Sequence, residues 1–100
     1  MALVDIPIVI GRGDKYVIVA EYRDSDGVLV PLPSWAADVV FSDSLDPVTA
    51  TTDIDDPGIV TFTILSAVTE ALPEGARLRF RILDPTGEPT TLIKGTVTYD

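Results

Sequence analysis

The sequence contains neither cysteine nor histidine. Those absences remove disulfide bonds, zinc sites of the Cys/His type, thiol nucleophiles and the side chain best suited to proton transfer at neutral pH. A chain without disulfides is also suited to folding in a cytoplasm. Basic residues are scarce: 7 Lys and Arg stand against 16 Asp and Glu, giving a formal net charge of −9. Phosphate backbones and anionic bilayers would repel such a surface, so neither nucleic acid nor a membrane is expected as a partner. Long hydrophobic runs are missing too. The opening MALVDIPIVIG has no basic start and is broken by Asp5 and Pro7, so it reads as neither signal peptide nor anchor. Helical period is almost absent, the one candidate being Ser66 to Leu72, a single turn ended by Pro73. There is no Gly-x-Ser-x-Gly, no phosphate-cradling loop and no Ser/His/Asp set. The expectation is therefore a protein that is not an enzyme and holds no cofactor.

What is present is a series of short alternating runs. With 46% hydrophobic and 23% charged residues, the chain is too apolar for disorder, and its 100 residues suit a single domain over residues 1–100. The clearest run is Ala76 to Asp84, where Leu78, Phe80 and Ile82 alternate with Arg77, Arg79 and Arg81. That period of two predicts a half-buried antiparallel strand with apolar groups on one face and guanidinium groups on the other. Pro73-Glu74-Gly75 and Asp84-Pro85-Thr86-Gly87 punctuate it as turns, and Thr91 to Tyr99 supplies a β-branched partner for a hairpin.

Earlier in the chain, Ile6, Ile8 and Ile10 share one face of a first strand whose Pro7 predicts a sheet edge. Lys15 to Arg23 forms a second strand, with the Ile18 and Ala20 face expected inside and Val17 and Val19 left for another chain or a neighbouring edge to cover. Trp35 should plug one end of the core, ahead of a strand containing Ala37, Val39 and Phe41. The acidic stretch Ser42 to Gly58 offers one short strand at Val48 to Asp53, and Val60, Phe62 and Ile64 mark the next. About seven strands with one helical turn before the penultimate one predict an all-β, immunoglobulin-like antiparallel β-sandwich. The C-terminal strand, without proline and with Lys94 as its one charge, is expected to be an open edge.

The order of these signals has a counterpart. It runs through Gly13-Asp14, Asp24-x-Asp26-Gly27, Pro31-Leu32-Pro33-Ser34-Trp35 and Pro57 to Thr63. It continues with Leu65-Ser66, Leu72-Pro73-Glu74-Gly75, Asp84-x-x-Gly87 and Lys94-Gly95-Thr96-Val97. This series resembles the small immunoglobulin-like modules of tailed-phage virions, such as the LtfC-like family and the N-terminal domain of the baseplate upper protein. The resemblance implies a structural or adaptor role in a virion made in a host cytoplasm, with other virion proteins as partners and no active site to carry over. The alternative is a ligand-binding or host-attachment module for carbohydrate or another cell-surface group.

Three constellations could carry more than structure. Arg12-Gly13-Asp14 spells the integrin tripeptide, but a Gly-Asp turn between strands explains it fully. Asp24-x-Asp26-Gly27 lacks the further oxygen ligands and distant Glu of a calcium loop, and Asp53, Asp55 and Asp56 read as a solvated loop, so no metal is expected. Arg77, Arg79 and Arg81 are the unusual feature, three of the seven basic residues of an acidic chain on one strand face. They are either a sheet exterior with acidic cross-strand neighbours, or a candidate protein interface that docks onto an acidic face of another copy or another virion protein.

Overall fold

The structure, a computed structural model, describes residues 4–55 and 58–99. In chain order its elements are β1 (Val4–Ile10), β2 (Tyr16–Glu21), β3 (Ala36–Phe41), β4 (Pro47–Val48), β5 (Thr51–Asp55), β6 (Ile59–Ile64), α1 (Ser66–Ala71), β7 (Arg77–Leu83) and β8 (Pro89–Tyr99). They form a five-stranded sheet in the order β1-β8-β7-β3-β4 and a three-stranded sheet in the order β2-β6-β5. The two sheets pack as the expected immunoglobulin-like sandwich, with α1 bridging β6 in one sheet to β7 in the other.

Alternation decides the inner faces. β7 buries Leu78, Phe80 and Ile82, and β6 buries Val60, Phe62 and Ile64, while the residues between them face out. Phe62 meets Phe80 across the sheets edge to face, with centroids 5.3 Å apart and planes at 72°, the arrangement that aromatic quadrupoles favour. Ile8, Ile10, Val39 and Val97 complete the core around this pair. In β2 the Ile18 and Ala20 face is the inner one, and Val17 and Val19 are left 49% and 56% exposed. Trp35 packs on the rim of the core, its ring 6.0 Å from that of Tyr22.

Two expectations are corrected. The acidic stretch holds two strands, β4 and β5, rather than one, because the chain leaves β3's edge after Val48 and re-enters the other sheet at Thr51. The C-terminal strand is not an open edge: β8 lies between β7 and β1, and β1 runs parallel to it with Ile6 opposite Gly95 and Ile8 opposite Val97. That pairing joins the two ends of the chain, so no local turn announces it. It depends on Gly95, where a Cβ would lie 2.5 Å from the Ile6 carbonyl oxygen and 2.7 Å from the Ile8 side chain. The edge falls instead on β1, which carries Pro7 as expected.

β8 also contains a bulge. Phe80 stands opposite Ile93 but Arg81 opposite Thr91, which leaves Leu92 as the extra residue. The bulge turns consecutive Leu92 and Ile93 both inward, and each is buried.

Candidate functional site

The outer face of the five-stranded sheet carries Arg77, Arg79 and Arg81 on its central strand, β7, and the structure gives the three different surroundings. Arg81 lies opposite Asp38 of β3 and donates Nε to Oδ1 at 2.9 Å and Nη2 to Oδ2 at 2.8 Å. This bidentate fork is partly sheltered, and its hydrogen bonds to Asp38 hold the guanidinium above the ordinary arginine range. Arg77 donates Nη2 to Oδ1 of Asp43 in the open, and that hydrogen bond raises its pKa likewise.

Arg79 has no carboxylate partner among the described residues. It stands opposite Val40 on one side and Lys94 of β8 on the other, so two like charges face each other across the strands. Val40, opposite Arg79, points outward yet is only 2% exposed. Arg79 Nε is buried, and it has no hydrogen-bond partner among the described residues. Ser42 Oγ is buried and has no partner among the described residues either. Both residues line a recess of about 180 Å³, shared with Asp43, Arg77, Lys94, Gly95 and Thr96. Three cations and one carboxylate around an open recess suit an anionic group brought by another molecule.

The other candidates are occupied by the fold itself. Arg12 lies 3.9 Å above the ring of Tyr99 and donates to the Glu70 carbonyl at 3.2 Å, while the Asp14 N–H closes the turn onto Gly11. Asp24 Oδ1 accepts the N–H groups of Asp26 at 2.9 Å and Val28 at 3.1 Å, which is turn chemistry. Asp84 repeats the pattern with Thr86 and Glu88. The Thr86 hydroxyl, helped by these amides, holds its carboxyl below the usual range. Asp53 and Asp55 stand on β5, and Asp56 lies outside the described residues. Among the described residues no group of three or more Asp or Glu is placed to hold a metal ion.

Sequence reasoning missed Ser42 and Lys94 as members of the recess. It also missed a structural cluster, in which the fully buried Thr69 of α1 puts its hydroxyl 2.7 Å from the Asp14 carbonyl oxygen and the Tyr99 hydroxyl donates to the carbonyls of Thr69 and Leu72.

The profile of the LtfC-like β-sandwich domain matches residues 4–100. The chain belongs to the LtfC-like β-sandwich family. No curated protein matches it in sequence. Among solved structures, this LtfC-like domain is similar to the Lin-41 filamin domain, with a TM-score of 0.54 and 22% identity, over 92% of this chain and 82% of that one. It is also similar to the N-terminal Ig1-2 module of the Drosophila receptor protein tyrosine phosphatase DLAR, with a TM-score of 0.54 and 11% identity. That match covers 94% of this chain but only 45% of the DLAR module. At these identities the likeness is one of fold: an immunoglobulin- and filamin-like sandwich, an architecture typically without catalysis.

Proposed function

We propose that this LtfC-like domain is a non-enzymatic structural adaptor of a tailed-phage virion, in the tail, baseplate or head-to-tail region, made in the host cytoplasm. It works through protein–protein contacts made by the outer face of its five-stranded sheet. The observation that carries this reading is Arg79: a cation opposite another cation, with no carboxylate partner among the described residues. A carboxylate from a neighbouring protein, placed over the guanidinium and the Lys94 ammonium, would relieve that repulsion. Family membership supports the virion setting. A sugar-binding or host-attachment role would need exposed aromatic platforms, whereas Trp35 and Tyr22 are half-buried against each other at the rim of the core.

The test is a binding assay between this domain and the proteins encoded beside it, comparing wild type with Arg79→Glu/Lys94→Glu at low and high salt. Arg81 is left alone because it already pairs with Asp38. Wild type should bind at low salt and weaken at high salt, as charged contacts are screened over roughly 8 Å at physiological ionic strength. A folded variant that binds as well as wild type at every salt concentration overturns the reading.

A further inference from the structure

The outer face of the other sheet has the complementary character. Its three strands set nine outward residues in rows: Val17, Thr63 and Thr51, then Val19, Thr61 and Asp53, then Glu21, Ile59 and Asp55. None of the nine is basic. Glu21 is engaged by Arg23 at 2.8 Å, whereas Asp53 and Asp55 are exposed and make no ion pair among the described residues. Val17 and Val19, on β2 across β6 from these carboxylates, form an uncovered apolar strip. Opposite, the five-stranded face presents Arg77, Arg79, Arg81 and Lys94, of which Asp38 and Asp43 engage two, with the exposed Val9 and Thr98 alongside. Asp5 occupies the register position beside Lys94 on β1.

We propose that the docking partner of the Arg79 recess is a second copy of this chain, which offers the Asp53 and Asp55 side of its three-stranded sheet. This proposal rests on the reading of the Arg79 face as a docking face and names its occupant. The two faces are different surfaces on opposite sides of one sandwich, so the contact is head to tail and repeats in either a closed ring or an open stack. The size fits. The molecule measures 36 × 23 × 22 Å, so a broad face covers on the order of 800 Å², one side of a standard interface. The contact joins cation to carboxylate and lays the Val17 and Val19 strip against the neighbouring β-branched surface. A face-to-face pairing of two identical sides would instead oppose charges of one sign.

The experiment is sedimentation of the purified chain over a concentration series, with circular dichroism as the check on folding. Wild type should show concentration-dependent association. Arg79→Glu/Lys94→Glu and Asp53→Lys/Asp55→Lys should each lower the association constant by about tenfold or more, since in each variant the two faces now carry one sign. Mixing the two variants should restore association, because every contact between unlike copies is again between opposite signs. A wild type that stays monomeric at about millimolar concentration, single variants that associate like wild type, or a mixture that does not associate would each overturn the proposal. Should the arginine variant fail to fold, Asp53→Asn/Asp55→Asn on the other face tests the same contact by its weaker association. If the wild type is monomeric and yet needs Arg79 to bind a tail protein, self-stacking is wrong while the adaptor role stands.

Discussion

At the scale of single residues, neighbours on one strand have opposite roles. Phe80 is fully buried against Phe62, so Phe80→Ala opens a cavity between the sheets and should cost about 3 to 5 kcal/mol. Arg79, one position away, faces outward and sheds its repulsion from Lys94 on truncation, so Arg79→Ala should cost under about 1 kcal/mol. Urea melts of both variants separate the cases, and equal costs would mean that the faces of β7 are wrongly assigned. Gly95 makes a sharper demand. An Ala there meets the backbone of Ile6, which cannot move without breaking the β1 ladder, so Gly95→Ala should destabilise more than Gly87→Ala. At Gly87 the added methyl meets nothing within 4 Å, and its cost is confined to a positive φ of 90°. The measurement is again the urea midpoint, with the reverse order counting against the close approach of β1 to β8.

At the scale of elements, the β7–β8 hairpin is held by Asp84, whose carboxylate takes the amides of Thr86 and Glu88 and the hydroxyl of Thr86. Because these bonds depress its pKa in the folded state, the stabilisation is complete above the unfolded carboxylate value, about 4. It is lost as the pH falls through the lower folded value. Asp84→Asn keeps an acceptor but removes the titration, so its stability between about pH 5 and pH 2 should fall less steeply than that of wild type. Parallel acid limbs in urea melts would show that Asp84 contributes nothing to them. This turn and both its strands were legible in the sequence, because Asp-Pro-Thr-Gly and the Arg/apolar alternation are local signals. The pairing of Lys94 with Arg79 was not. A hairpin continued from Leu83 opposite Pro89 would set Arg79 against Ile93, and the bulge at Leu92 moves it to Lys94. The parallel partner of β8 was hidden for a different reason: β1 reaches it from the far end of the chain, and period-two alternation says which face is buried but not which strand lies alongside. The acidic partners of Arg77 and Arg81 were expected as a type, but Asp38 and Asp43 could be named only once β3 was placed next to β7.

At the scale of the whole molecule, an excess of nine negative charges is held in a body with a radius of gyration of 13.3 Å. In dilute salt the Debye length reaches about 30 Å, longer than that radius, so every carboxylate repels the others through the folded state. Against this stand three ion pairs among the described residues. Two of them, Arg23 with Glu21 and Arg77 with Asp43, have side chains about half exposed or more, where such pairs contribute little. The Arg81 fork to Asp38 is sheltered and less easily screened. Raising sodium chloride from about 10 mM to about 500 mM should therefore raise the Tm of the dilute monomer, since screening removes more repulsion than attraction. The Arg79→Glu/Lys94→Glu variant is four charges more negative on a face that is cationic in wild type. Its Tm should start lower and climb more steeply with salt. A Tm that falls with salt in wild type would place the balance with the local pairs, and the cationic face would then stabilise the fold itself rather than wait for an acidic neighbour.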